Sequence, residues 1–233
     1  MSLPKLEIPT YELTQPSSGK KVKFRPFLVK EHKALLMVKD SSPDDISRVM
    51  EEIVDICTFN KLKMNNLPSF DIEYMFSRIR AKSIGEKLDL IISCRNCENK
   101  VDFKINLDDV QIQTDKEHQA KFMLNDSLGV EMKYPKFKIN LNDLFQSGVE
   151  PFFQEIENCI KAIYTVEGKY IEIGPEDKEE VSEFVASMNT EQFAKIEKFF
   201  ETMPKLSHVT DVLCDKCGAV NKARVEGLAN FFV

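Results

Sequence analysis

No stretch of this sequence approaches the roughly eighteen consecutive apolar residues that a helix needs to cross a bilayer. Its first residues are polar and proline-containing, not a basic segment leading into an apolar one, so neither a membrane segment nor a leader is expected. Positive charge is also short. The 32 Lys and Arg are outnumbered by 38 Asp and Glu, a formal net charge of -6, whereas affinity for a phosphate backbone needs a basic face. Histidine is scarce, with three in all. There is no HExxH, no glycine-rich phosphate loop and no nucleophile elbow. The acidic residues hold no diagnostic spacing and read as solvated helix faces. These absences argue against an enzyme and against a small-molecule substrate. What is present is material for a core: 42% hydrophobic residues and 17 Phe, with 30% charged residues at the surface. A chain of 233 residues makes one large domain or two modest ones.

Residues 1–28 read as an extended N-terminal arm or hairpin. Pro4, Pro9 and Pro16 oppose helix, while Tyr11 to Leu13 and Val22 to Phe24 alternate around the turn-forming Pro16–Gly19 stretch. Either a β-hairpin or an arm laid on a partner satisfies this pattern. Residues 29–87 read as helical. Lys30 to Lys39 lacks a breaker, and Ser42-Pro43-Asp44-Asp45 opens a second helix with a capping serine and a proline in the first helical position. Ile46, Val49, Met50, Ile53, Val54 and Cys57 form its apolar stripe. Ser69 or Asp71 is expected to cap a third helix bearing Ile72, Met75, Phe76 and Ile79, with Gly85 as its stop.

Residues 88–140 change to strand periodicity around a first cysteine knuckle. Residues 141–203 return to helix, predicted from about 141 to 165, from Pro175 to Ala186 and from Thr190 to Glu201. The last carries a heavy aromatic face of Phe193, Phe199 and Phe200 with Ile196, and "KYIEIG" reads as a short strand. Residues 204–233 contain a second knuckle in a C-terminal hairpin expected to pack on 88–106. The fold class is α+β: a mixed helical core with antiparallel β-hairpins joined by a split, zinc-ribbon-like four-cysteine knuckle.

The strongest chemical signal is the pair of CxxC motifs, Cys94-Arg95-Asn96-Cys97 and Cys214-Asp215-Lys216-Cys217. Each lies between strand-like runs, so strand, knuckle and strand are written twice. A tight turn at this spacing aims both thiols at one ion, and two such turns build a tetrahedral site for a structural Zn²⁺. Gly218 suits the left-handed backbone that a knuckle needs. The alternatives are two redox pairs, or thiols that merely cap turns. A closed four-sulfur site has no open position for water, which favours scaffold over chemistry. Cys57 and Cys159 lie on apolar helix faces and read as core. His32 in "KEHK" reads as a solvated helix face, His118 as surface, and His208 as close to the knuckle but without a vacancy to fill.

A zinc ribbon that binds nucleic acid is the main alternative class. Lys87, Arg95, Lys100, Lys216, Lys222 and Arg224 near the knuckles are balanced by Asp89, Glu98, Asp102, Asp215 and Glu226, which argues against it. The opening "LPKLEIPTYELTQPSSGKKVKFRPFLVKEHKALLMVK", the segment "LPSFDIEYMFSRIRAKSIGEKLDL" and the Cys94/Cys97 pair that follows carry a resemblance of another kind. On these marks the chain resembles the T4-type bacteriophage baseplate family that includes the gene 26 product, a baseplate hub subunit or hub-assembly protein. The likeness is best over the first 110 residues. It implies a structural or assembly role in the central hub of a contractile tail. The implied partners are other phage baseplate or hub proteins, contacted through exposed arms and aromatic helix faces. The implied location is the cytoplasm of an infected bacterium or the virion tail baseplate. The family offers no active-site residues to carry over.

Overall fold

The N-terminal alternation resolves as a hairpin. β1 (Tyr11–Thr14) pairs antiparallel with β2 (Lys21–Phe24), Tyr11 opposite Phe24 and Thr14 opposite Lys21. The computed structural model describes residues 6–137 and 148–227. Leu13, Val22 and Phe24 point into the core, while Leu6 and Tyr11 remain exposed. The turn is held from outside the hairpin by the fully buried Asp71. Its carboxylate accepts from Gln15 Nε2 at 2.6 Å, from the Ser17 amide at 3.0 Å and from the Ser17 hydroxyl.

Helix α1 (Val29–Val38) opens with a buried ion pair in place of a polar cap. Glu31 accepts from the Leu28 amide at 2.7 Å and from Arg25 Nη2 at 2.9 Å. Burial raises the Glu31 carboxyl, but these two donors outweigh it and hold the group below its ordinary range. In α2 (Pro43–Cys57), Ser42 Oγ accepts from the Asp45 amide at 3.2 Å, and Met50, Ile53, Val54 and Cys57 are buried along the expected stripe. α3 (Ser69–Ser83) departs from expectation. Pro68 occupies the cap position, and neither Ser69 nor Asp71 caps the helix, because Asp71 is committed to the N-terminal turn. α3 buries residues on every side, including Asp71, Glu73 and Ser77.

The chain divides into two units, residues 1–113 with 136–140 and 205–233, and residues 114–135 with 141–204. In the first, β3 (Lys87–Ser93) pairs with β4 (Lys100–Asn106), and β10 (Lys205–Leu213) lies between β11 (Val220–Glu226) and the short β5 (Gln111–Gln113). The C-terminal hairpin therefore gains a third strand that the sequence did not announce. Phe76, Ile79, Leu88, Leu107 and Leu206 belong to one core with the hairpin and α2. Glu73 of α3 is 9% exposed. Burial pushes its carboxyl up to about 8; Glu226 adds to the rise and Lys205 opposes it. A raised carboxyl stabilises the fold below its unfolded pKa, near 4.5, and loses that contribution as pH rises toward 8. Glu73→Gln should therefore gain stability over the parent, on the order of a few kcal/mol at pH 8, with the gain vanishing near pH 5. Urea melts of both proteins at the two pH values check this, and an equal difference at both would remove Glu73 as the cause.

The second unit has a four-stranded antiparallel sheet in the order β6 (Lys121–Met123), β7 (Leu128–Met132), β8 (Ile160–Thr165), β9 (Tyr170–Glu172). Its helices are α4 (Val149–Cys159), α5 (Lys178–Ala186) and α6 (Thr190–Thr202). The helix expected to reach residue 165 ends at Cys159, and its continuation is β8. Ile160, Ala162 and Ile163 pair there with Met132, Glu131 and Val130, with an irregularity between Glu131 and Met132. Residues 141–147 lie outside the described residues. Gly129 lets the Tyr164 ring lie over the strand, and a Cβ there would force the ring tip to shift. The aromatic face of α6 is core, not an attachment surface: Ile196, Phe199 and Phe200 are buried with Val130 and Ile156.

His118, read as surface, is half-buried. It stacks near Tyr134 and Phe199 and bonds to Thr202 Oγ1 and Tyr134 Oη, each at 3.0 Å. The Thr202 hydroxyl donates to Lys198 O, so it accepts from His118 Nδ1–H, and Nε2 accepts from Tyr134. Burial lowers the imidazole pKa, with Asp115 opposing. The polar letters around His118 in sequence conceal the two aromatic rings against which one side of it packs.

Candidate metal centre

The two strand–knuckle–strand segments meet through their cysteines. Cys94 and Cys97 lie between β3 and β4, and Cys214 and Cys217 lie between β10 and β11. All four sulfurs fall within 4.8 Å of one another. Cys94 Sγ is 3.7 Å from Cys217 Sγ, and Cys97 Sγ is 3.7 Å from Cys214 Sγ. Those separations far exceed a disulfide bond of about 2.05 Å. They match the roughly 3.8 Å between sulfurs placed tetrahedrally about one ion at Zn–S distances of about 2.3 Å.

The knuckles are built alike. The Cys94 amide donates to Asn99 O at 2.8 Å and the Glu98 amide to Cys94 O at 2.9 Å; the Cys214 amide donates to Ala219 O and the Gly218 amide to Cys214 O, both at 2.9 Å. Glu98 and Gly218 occupy equivalent left-handed positions, with φ of 57° and 69°. Glycine is at ease there, and Glu98 is one of three non-glycine residues with positive φ among those described. Behind the sulfurs, Ile92, Val101, Val212 and Ala223 close a small apolar cluster.

Two asparagines tie one knuckle to the other. Asn221 accepts from the Arg95 amide at 3.0 Å and directs Nδ2 toward Cys94 Sγ at 3.5 Å. Asn99 donates to Asp215 Oδ1 at 2.7 Å and lies 4.0 Å from Cys214 Sγ. Sequence reasoning missed Asn221, whose side chain is buried under the first knuckle from the strand after the second. The Asn96 amide, with help from Cys97 N–H and Asn221, draws Cys94 down to about 6 despite burial. The Ala219 amide and Asn96 lower Cys217. At Cys97 the Asn99 amide favours the thiolate, yet burial and the crowded sulfurs push the thiol up to about 12. A soft divalent metal held by all four sulfurs would offset the mutual repulsion of their thiolate forms. The donor set and its spacing thus fit a four-thiolate ion site.

Among the histidines, His32 is exposed on α1, and its ring lies 5.9 Å from Phe27. His208 lies on β10 and is not part of the sulfur cluster, and His118 belongs to the other unit. Cys57 and Cys159 are buried apart from it.

Fold and site together define a mixed α+β protein with antiparallel sheets and a four-cysteine cluster assembled from distant parts of the chain. The chain belongs to the T4 bacteriophage base plate protein family, whose model matches residues 8–233. No curated protein and no solved structure matches it. It is a phage baseplate protein with other phage proteins as its partners. No helix among the described residues is long and apolar enough to cross a membrane.

Proposed function

We propose that this chain is a structural or assembly subunit of the central hub of a contractile-tail baseplate, working through protein contacts and without catalysis. The observation that carries this reading is the family match, which runs through both cysteine pairs and both units. The hub role rests on the resemblance of the first 110 residues to hub and hub-assembly proteins, and assembly takes place in the cytoplasm of the infected bacterium. The four sulfurs would be held by one structural Zn²⁺, with Cys94, Cys97, Cys214 and Cys217 as its complete ligand set. The ion would supply a cross-link, since four protein ligands leave no position for a reacting water. Purifying baseplate and hub intermediates from infected cells and probing each for this chain tests the role. Recovery with hub intermediates is expected; absence from every intermediate would overturn it.

A further inference from the structure

We propose that Asn221 is a positioning residue of the ion site, raising its affinity through a hydrogen bond to the Cys94 sulfur that is stronger when the ion is bound. This role presupposes that the four sulfurs hold one ion together. The two hairpins share one register, so each position in one has an equivalent in the other. Ile92 pairs with Val101 in the first hairpin and Val212 pairs with Asn221 in the second, each pair standing at the same remove from its cysteines. Val101 is 6% exposed and Asn221 4%, so the fold buries a valine at one position and a carboxamide at its equivalent. Neither packing nor strand propensity accounts for the asparagine. Asparagine is depleted in strands, and burying an amide costs free energy unless its polar atoms are paired.

They are all paired. Oδ1 accepts from the Arg95 amide at 3.0 Å. Nδ2 donates to Ala219 O at 3.1 Å and to Cys94 Sγ at 3.5 Å, one bond for each of its hydrogens. These partners fix the orientation of the carboxamide, because the Arg95 N–H demands the oxygen and the Ala219 carbonyl demands the nitrogen. Ala219 O also receives the Cys214 amide that closes the second knuckle. One side chain thus joins the closing bond of one knuckle to a sulfur of the other. The contact with Cys94 is the one that responds to the ion. A thiol is a weak acceptor, whereas a thiolate carries negative charge and its hydrogen bond is charge-assisted. The bond strengthens as the ion binds, and that difference appears as affinity.

The full chain, produced with Co²⁺ as the only added transition metal and then challenged with rising chelator, tests this. The parent should carry one Co²⁺ with the spectrum of tetrahedral sulfur coordination. Asn221→Val, which takes the residue of the equivalent position, should keep that stoichiometry but bind about 10- to 100-fold more weakly. Its sulfur-to-cobalt charge-transfer band should move to lower energy, since a sulfur has lost a donor. Asn221→Asp keeps the volume and the Arg95 bond and removes only the donor. It should bind at least as weakly as the valine variant, and it carries the test if valine packs poorly. Melting in excess chelator should separate variants from parent less than melting with metal bound. Parent affinity in either variant, an unmoved band, or equal losses of stability with and without metal would overturn the role and leave the ion site standing. A parent that takes up no Co²⁺ would instead remove the ion site, and this role with it.

Discussion

Cys94→Ser and Cys214→Ser are expected to destabilise the protein to a similar extent, each on the order of several kcal/mol. The reason is that neither knuckle holds an ion by itself. The sulfurs that approach to 3.7 Å come in each case from opposite pairs, Cys94 with Cys217 and Cys97 with Cys214. Losing one ligand weakens the site for all four, so the double variant should cost much less than the sum of the singles. Elemental analysis should give near one zinc per parent chain and near none for the variants. A chelator should lower the melting temperature of the parent and leave the variants where they are. Additive losses, or parent protein without zinc when purified without chelator, would show that the cysteines only cap their turns.

Arg25→Ala should be the second costly change, at roughly 3–5 kcal/mol, because it removes the buried partner of the Glu31 carboxylate and leaves it the Leu28 amide and the exposed Lys30 ammonium at 3.5 Å. Glu31 is 4% exposed at its side chain and Arg25 10%, and they meet at 2.9 Å. The guanidinium also donates to Pro26 O at 2.9 Å, so its loss unties the segment entering α1. The comparison that isolates the charge is Arg25→Met with Glu31→Leu, which should lie much closer to the parent than Arg25→Ala does. Glu31 is held below its ordinary range in the fold, so its contribution is present above its unfolded pKa, near 4.5, and is lost as pH falls through the lower folded value. The penalty for Arg25→Ala should therefore shrink in acid. Urea midpoints at neutral and acid pH measure it, and a penalty that is the same at both would assign the loss to packing.

How far the sequence foretold these features depends on how many demands each residue meets. α2 was legible because one face is buried and the other wet, which leaves a clean stripe ending at Cys57. α3 was only partly legible. It is enclosed on all sides, so Asp71 and Glu73 look like surface or capping residues when one has been taken as the anchor of a distant turn and the other lies against strands from the end of the chain. The change from α4 to β8 was hidden because "IENCIKAIYTV" satisfies helical and strand periods over the same letters, and only pairing with β7 decides it. The cysteines were found by spacing alone. Asn221 was not, since nothing local marks an asparagine whose partner is the amide of Arg95.

The order of segments along the chain has a consequence for synthesis. The unit spanning 114–204 lies between the parts of the unit to which both knuckles belong. A ribosome releases Cys94 and Cys97, and the strands around them, well before β10, β11 and the second pair exist. The intervening sheet and helices are complete by then and can fold as a local unit, since domains fold largely as they emerge. The outer unit must wait with Leu88, Leu107 and half of its candidate ion site uncovered until β10 and β11 have left the tunnel. Premature termination between Pro204 and Cys214 would thus release a chain whose middle unit is complete and whose outer unit is not, a form recognisable to quality-control proteases by its exposed N-terminal part.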